Sequence, residues 1–583
     1  MPTLQFKGKT AVETYHHTVP HHTFDFDSKL SVLGKCEKPS LDGNLIIEGD
    51  NLLALKALLP THAGRIKCIY IDPPYNTGNE GWIYNDNLTQ PQFKEWIGQV
   101  VGKEEEDACR HDKWCCMMYP RLQLLKDLLH DEGAIFISID DNELKNLLFL
   151  CDEIFDSKNR FGVIIVENNP RGRRLGTELA VEHEYVVVYA RQIEKFKAGR
   201  LELNEEQLAE YAEEDSDGRR YRLLGLRKRG ALARKMDRPN LHFALFVNPK
   251  DGSISLTEAK GLVKIIPKLS DGTDGVWRWS RGKIDRDGGL LVGKEVRRRE
   301  SGKIQWDIFE KDFAETSDGD EKGRLFPSIW QGSEFNNETG RDQIKEVFGA
   351  PVFDYPKPVD LIKHAILLSG ATDGIVLDSF SGSGTTGQAV IELNEGGKTR
   401  NSFILVQQPY DTKENEADKS NICRKVTAER VRRVIAGNSN PAQTRKIPGI
   451  PTSDSVLSYA RLSAKPLFGE YREFGENPPP YEDIAKYVFY TETSRQWIPK
   501  GLDKRSRRIG EHNGTSYYLL YSPNQKTDRA IDAEFLKATA AKDPNTRLVV
   551  YAEKIWLHRS ALREWEATNS KTVRTMIVPF NLR

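Results

Sequence analysis

Ile69-Tyr70-Ile71-Asp72-Pro73-Pro74-Tyr75 is the stretch on which the fold of this chain turns. Ile69-Tyr70-Ile71 is an apolar run that reads as a buried strand. The tip that follows is stiff, because the residue before a proline is pushed out of the helical region and each proline lacks a backbone N–H. It offers the Asp72 carboxylate, at least one free backbone carbonyl, and the face of Tyr75. Two acceptors and a ring are the parts needed to hold a planar exocyclic amino group and stack its base. A proline-rich turn without chemistry is the plainer reading of these four residues, and their context decides against it.

Working outward, strands alternate with helices. Residues 45–47 read as a strand, 51–59 as a helix halted by Pro60, and 67–71 as the strand carrying the tip. Residues 121–130 read as a helix ended by Gly133, and 134–139 as the next strand. Asp140-Asp141-Asn142-Glu143 cap a helix to about 155, and 163–166 and 184–189 add strands. The rhythm stops near 195, where the chain becomes polar and turn-rich, and resumes near 347 with helix 357–369, strand 374–377, helix 387–393, strand 403–406 and helix 422–435. The pattern predicts an α/β fold: a doubly wound, Rossmann-like parallel sheet covered on both faces and interrupted by an inserted domain. The expected organisation is an irregular arm (1–40), a first core part (41–195), the insert (196–348), a second core part (349–437), a linker (438–452) and a smaller α+β C-terminal domain (453–583). In that last part 487–490, 517–521 and 548–551 read as strands.

The second informative string is Val376-Leu377-Asp378-Ser379-Phe380-Ser381-Gly382-Ser383-Gly384-Thr385-Thr386, at a strand end and opening a helix. Open α/β sheets bind ligands outside such strand ends. Gly382, Gly384 and Gly387 fill a G-x-G-x-x-G frame, so spacing alone admits a dinucleotide. Phe380 argues against it, since an aromatic here flanks an adenosine and crowds a pyrophosphate. A P-loop is excluded: before Gly396-Gly397-Lys398-Thr399 the required leading glycine is Glu392.

The 583 residues carry 85 basic and 85 acidic side chains, which excludes coating of nucleic acid or membrane by bulk charge and leaves local basic patches. Seven scattered cysteines with no C-x-x-C pair read as reduced thiols. No apolar run of membrane-spanning length and no signal-peptide pattern is present, so a soluble, cytoplasmic protein is expected. His16, His17, His21 and His22 form pairs without an accompanying Cys or acid, and read as part of a flexible arm in preference to a metal site.

From about Leu45 to about Ile435 the chain resembles the β-class amino-group DNA methyltransferases, and within them the modification subunits of type III restriction–modification systems. The strings that carry the resemblance are Glu48-Gly49-Asp50-Asn51, Asp72-Pro73-Pro74-Tyr75-Asn76-Thr77-Gly78, Pro120-Arg121-Leu122, Ile137 to Glu143, Tyr355-Pro356-Lys357-Pro358 and Asp378 to Thr386. Their order matches too: base loop, variable insert, donor loop. The resemblance implies S-adenosylmethionine as methyl donor and a base flipped out of duplex DNA. It implies catalytic roles for Asp72, Pro73, Pro74 and Tyr75. It places Phe380, Gly382 and Gly384 beside the donor, Asp378 and Thr385 at its methionine part or ribose, Lys357 at its carboxylate and Asp50 near its methionine end. One position departs from the family: an acid usually follows the strand after the donor loop, and here it is Gln407, which lacks the charge-assisted strength of a carboxylate. Asp at position 72 resembles the adenine-N6 members more than the cytosine-N4 members.

The insert holds the densest basic run, nine Lys or Arg and one acid between 218 and 238. Arg219, Arg220, Arg222, Arg227, Lys228, Arg229, Arg234 and Lys235, with Arg278 between Trp277 and Trp279, are the expected DNA contacts. Arg297-Arg298-Arg299 and Trp330 add basic and aromatic groups. The expectation is therefore an adenine-N6 DNA methyltransferase, the modification subunit of a type III or related phage-defence system. Its expected partners are double-stranded DNA, a second copy of itself, and a helicase–nuclease restriction subunit docked on the C-terminal domain. A DNA-recognition subunit with weakened catalysis and a stand-alone methyltransferase are the competing readings.

Overall fold

A computed structural model describes residues 3–34, 38–77, 107–174, 179–297, 304–315, 322–410, 413–437, 456–469, 474, 478–495, 497, 506–523, 529–579 and 582. The chain divides into two compact units, 1–199 with 327–583, and 200–326.

The first unit is built on a ten-stranded sheet. Its strands in chain order are β1 (Phe24–Phe26), β2 (Asn44–Glu48), β3 (Ile66–Ile71), β4 (Leu129–Ile139), β5 (Arg160–Glu167), β6 (His183–Ala190), β7 (Ile329–Trp330), β8 (Ile375–Asp378), β9 (Ser402–Gln407) and β10 (Leu457–Leu462). In space they run β1-β10-β2-β9-β8-β3-β4-β6-β5-β7. The six strands from β10 to β4 are mutually parallel. Their near-continuous Val, Ile and Leu content follows from burial on both faces. β6 is antiparallel to both β4 and β5. The core helices are α1 (Asn51–His62), α2 (Asp107–Leu128), α3 (Leu144–Cys151), α4 (Val359–Leu368), α5 (Thr385–Glu395) and α6 (Glu429–Ile435).

Several sequence expectations shift. Gly133 lies inside β4 and does not end a helix; a Cβ there would stand 2.7 Å from the Ile66 carbonyl, so glycine is needed where β3 passes close. α2 begins at Asp107, well before 121, and runs through Pro120. The N-terminal arm is not a loose segment. Short helices Lys9–Val12 and Tyr15–Thr18 bury Val12, Tyr15 and Val19 in the main core, and β1 pairs with β10. His16, His21 and His22 are buried with it, and burial lowers the pKa of His16 to about 4 and of His21 to about 3. β10 begins at Leu457, so residues just past the expected boundary at 453 belong to the large sheet.

Beyond β10, the strands Arg508–His512, Thr515–Leu520, Arg547–Ala552 and Thr572–Ile577 form a separate four-stranded sheet in that order. Residues 487–490, expected as a strand, lie in the helix Tyr481–Thr493. Ile484, Ala485, Tyr487 and Val488 are buried at helical spacing there, and tertiary packing overrides the β preference of Tyr-Val-Phe-Tyr. Among the described residues no helix is long and apolar enough to cross a membrane, and Cys68, Cys115, Cys116, Cys151 and Cys423 are free and buried.

The second unit is antiparallel. Leu291–Arg297, Ile304–Phe313, Arg220–Gly225 and Glu213–Glu214 make one sheet, and Ile254–Ser255, Leu245–Val247 and Val263–Ile265 another. Its core contains Trp277, Trp279, Leu245 and Ile308.

Candidate functional site

The four neighbouring strands β2, β9, β8 and β3 end at one edge of the large sheet. Asp50, Gln407, Asp378 and Asp72 stand at or just beyond those ends, so positions more than three hundred residues apart in sequence become neighbours.

Asp72 follows β3 directly. Its Oδ1 is shielded from solvent and has no aligned hydrogen-bond donor. The Lys357 ammonium stands 3.4 Å away. Burial pushes the Asp72 carboxyl up to about 6; Lys357 pulls it down and Glu184 pushes it further up. Lys357 comes from the segment before α4 and binds both Glu184 oxygens, at 2.7 and 2.8 Å, and the Tyr75 hydroxyl at 2.5 Å. Burial draws the Lys357 pKa down, but Asp72 and Glu184 outweigh it and hold it above its ordinary value. Tyr75 also donates to Glu184 at 3.1 Å, and its own pKa is raised well up by burial and by the two carboxylates. The tyrosine ring is thus pinned at its hydroxyl end.

The tip is braced from behind. The Trp114 indole of α2 donates to the Pro74 carbonyl at 2.8 Å. The Pro73 carbonyl accepts from no described residue. Asn76 holds a left-handed conformation, φ 59°, and its amide donates to Glu143 Oε1 at 2.5 Å and to the Arg110 carbonyl at 3.3 Å. A strained non-glycine residue kept in place by buried bonds fixes the exit of the loop.

The glycine loop leaves β8. Both Asp378 oxygens are used within it, one accepting from the Phe380 backbone N–H at 3.0 Å and the other from the Thr386 hydroxyl at 2.5 Å. Burial raises Asp378 to about 7. Gly382 and Gly384 have φ of +48° and +80°, and a Cβ on Gly384 would lie 3.0 Å from the Thr427 carbonyl. Thr427, in the π-helical turn Cys423–Ala428, donates to the Gly382 carbonyl at 2.6 Å. Gln407 Oε1 accepts from the Gly382 N–H at 2.7 Å, so this amide braces the loop. Asn51 ties the loop to α1 by donating to the Ser379 carbonyl at 3.0 Å, and Ser379 Oγ is buried without a partner. A cavity of about 480 Å³ opens beside this edge, lined by Asp50, Gly49, Pro409, Leu462, Pro20 and His22.

Lys357, Phe380, Asp50 and Thr385 each make contacts within the protein. Lys357 lies against Asp72, Tyr75 and Glu184, where the resemblance implied a donor carboxylate. Phe380 is buried in the main core cluster with Leu377 and Val406. Asp50 caps α1 through the Leu53 N–H at 3.1 Å while facing the cavity. Thr385 contacts the Lys357 carbonyl at 3.3 Å. Glu184, Trp114, Asn76 and Arg430 were not singled out from the sequence. The only signal for Glu184 is an acid opening an otherwise apolar strand.

In the second unit most of the expected DNA contacts are already paired. Arg219 bonds Asp215, Arg222 bonds Asp312 and Glu210, Arg227 bonds Asp307, Arg278 bonds Glu310 and Lys235 lies near Asp274. Arg220 donates to the Tyr211 and Leu208 carbonyls. Lys228, Arg229 and Arg234 form no ion pair among the described residues, and Arg229, Arg234 and Arg238 are exposed. Trp277 and Trp279 are core residues of this unit and Trp330 is buried in the first unit, which removes them as base-stacking candidates. Gly78, Arg298, Arg299 and the linker lie outside the described residues. Among the described residues no cluster of His, Cys, Asp or Glu is arranged to hold a metal ion.

A family model described as DNA methylase matches residues 66–408. The chain is 33% identical over 378 residues to the type III restriction-modification enzyme EcoPI Mod subunit of Escherichia phage P1, covering 63% of this chain and 57% of that protein. It is 32% identical over 378 residues to the type II methyltransferase M.KpnI of Klebsiella pneumoniae, covering 64% of this chain and 82% of that protein. It is 31% identical over 423 residues to the StyLTI Mod subunit of Salmonella typhimurium, covering 68% and 58%. The match thus spans somewhat more than half the length of the two Mod subunits.

Proposed function

This chain belongs to the DNA methylase family, and we propose that it transfers a methyl group from S-adenosylmethionine to the exocyclic N6 of adenine in double-stranded DNA. The observation that carries the reading is the Asp72 side chain: a shielded carboxylate oxygen with the Lys357 ammonium 3.4 Å away and no aligned donor, followed by a Pro73 carbonyl that accepts from no described residue, at the end of the strand next to the glycine loop.

The residues present fit the donor. Positive φ at Gly382 and Gly384 brings bare backbone to the strand end, Ser379 Oγ lacks a partner, and a cavity of ligand size opens beside Gly49, Asp50 and Pro409 at the ends of the neighbouring strands β2 and β9. Gly382, Gly384, Thr385, Asp50 and Gln407 would hold it. S-adenosylmethionine supplies an electrophilic methyl group carried on a sulfonium.

The work of the chain lies on the acceptor. An adenine amino nitrogen is a poor nucleophile because its lone pair conjugates with the ring. Asp72 and the Pro73 carbonyl accept its two N–H bonds, which favours a pyramidal nitrogen and stabilises the charge that develops there. These acceptors are fixed before the base arrives, since Trp114 occupies the Pro74 carbonyl and Lys357 orients Asp72. Tyr75, held by Lys357 and Glu184, presents its ring to the base. When the N–C bond forms the nitrogen must shed one proton, and Asp72, at about 6, takes it and returns it to water. The base must leave the duplex to reach this loop.

The relatives named as Mod subunits support a modification subunit of a type III or related phage-defence system; a homodimer working in the cytoplasm with a helicase–nuclease restriction subunit is the assembly proposed with it. A stand-alone methyltransferase is the second reading, favoured by the coverage of 82% of M.KpnI. Methylation-sensitive sequencing of DNA from cells expressing the chain tests the activity. N6-methyladenine at one recurrent motif supports it; unmodified DNA with folded protein refutes it. Co-purification with a helicase–nuclease subunit separates the two system readings.

A further inference from the structure

Arg430 is the most anomalous charge in the first unit. It lies on α6 and is fully buried. Its Nε donates to Gln388 Oε1 at 2.8 Å, and its Nη1 donates to Ser383 Oγ at 2.9 Å and to Thr385 Oγ1 at 2.7 Å. Nη2 is buried and has no partner. Among the described residues no carboxylate touches the guanidinium. Glu392 stands one residue further off, bonded to Gln388 and paired with Lys363 at 2.5 Å. Burial lowers Arg430 to about 9, which leaves it charged near neutrality. A buried cation without a facing anion is costly and calls for a reason.

Its location supplies one. Ser383 precedes Gly384, the N-cap of α5, and Thr385 is the first residue of that eleven-residue helix, whose N-terminal end carries partial positive charge. Arg430 only donates, so both hydroxyl oxygens must accept from it and their own hydrogens are turned elsewhere. Thr385 turns its hydrogen to the Lys357 carbonyl, and Ser383 lies 3.1 Å from Thr385. The result is a fixed, cation-backed end of the donor loop. Lys357, the other cation nearby, is already held by Glu184 and Asp72.

We propose that Arg430 is the positioning residue for the carboxylate of the donor's methionine part, acting through Ser383, Thr385 and the N-terminus of α5. The proposal rests on the donor site described above and says which end of the donor the loop selects. It makes the buried charge unpaired only until a carboxylate arrives, and it gives the loop a preference for ligands that keep the amino-acid end.

The test compares S-adenosylhomocysteine, which keeps the carboxylate, with 5′-methylthioadenosine, which lacks it, by isothermal titration on the full-length chain. Arg430→Gln should weaken S-adenosylhomocysteine binding by about 10- to 30-fold, the scale of a charge-assisted interaction, and leave methylthioadenosine within about twofold. Arg430→Lys should recover part of the lost affinity. Ser383→Ala keeps the guanidinium and the packing, and should move the same ratio by about threefold, the scale of one neutral hydrogen bond. It decides the matter if Arg430→Gln does not fold. Equal losses for both ligands, or no loss for either, would overturn the proposal. If the wild-type chain binds neither ligand, the donor site itself is wrong, an outcome distinct from failure of the Arg430 role.

Discussion

Lys357→Met isolates the electrostatics of the catalytic loop. The lysine ammonium lies 3.4 Å from Asp72 Oδ1. At an effective dielectric near 20 that separation corresponds to about 5 kcal/mol of gross attraction. Water entering the vacated space screens part of it, and a neighbouring cation usually moves a carboxylate by about 1–3 pH units. Deleting Lys357 also leaves Glu184 facing Asp72 without its counter-charge, which pushes the same way. Asp72 should therefore rise from about 6 to roughly 7.5. The carboxylate must be ionised to accept the amino hydrogens, so the acid limb of the rate profile should move up with it. At pH 7 the ionised fraction falls from about nine-tenths to about one quarter, roughly a fourfold loss, and activity returns by pH 9. The assay is labelled methyl transfer to unmethylated DNA between pH 5.5 and 9.5 on protein shown to be folded by circular dichroism. Donor affinity is measured in parallel and should change little. An acid limb that stays near 6, or a loss equal at every pH accompanied by an equal loss of donor affinity, would refute the assignment of Lys357 to Asp72.

Other predictions follow from the same geometry. Because burial raises the Asp72 pKa in the folded state, the native form holds its proton more tightly than the unfolded chain. Wild-type stability should then fall as pH rises from about 4 to about 6 and stay reduced above that, by up to about 3 kcal/mol. Asp72→Asn should remove that pH dependence in urea titrations while abolishing methyl transfer. Trp114→Phe deletes the bond to the Pro74 carbonyl, which should cost about 1–2 kcal/mol and lower kcat about tenfold with donor affinity intact in titration calorimetry. In the insert, Arg229→Ala, Arg234→Ala and Arg238→Ala should each reduce the salt slope of DNA binding by about one while leaving the melting temperature unchanged. Arg222→Ala and Arg227→Ala break pairs to Asp312 and Asp307 and should lower the melting temperature of the insert instead.

What the sequence could disclose was whatever is contiguous. Asp72 to Tyr75 and Asp378 to Thr386 each sit at a strand end, and strand ends are legible from periodicity and glycine placement. Partners brought in by the fold were not legible. Lys357 is separated by 173 residues from Glu184, and no local pattern announces that they bond. The basic run from 218 to 238 looked unopposed because acids were counted along the chain, whereas Asp307 and Asp312 arrive on the strand Ile304–Phe313. Gln407 looked like a missing acid; its amide turns out to hold the Gly382 N–H. The histidine-containing arm looked loose because its few apolar residues, Val12, Tyr15 and Val19, become buried only against α2 and the sheet.

The central claim is that Asp72 accepts the hydrogens of an adenine amino group during methyl transfer. It is tested most directly by incubating purified wild-type and Asp72→Ala protein with unmethylated DNA and labelled S-adenosylmethionine, then digesting to nucleosides and identifying the labelled product. The account predicts N6-methyldeoxyadenosine from the wild type, none from Asp72→Ala, and near-equal donor binding by both. Labelled N6-methyldeoxyadenosine at wild-type levels from Asp72→Ala, or a wild-type product that is only N4-methyldeoxycytidine, would contradict it.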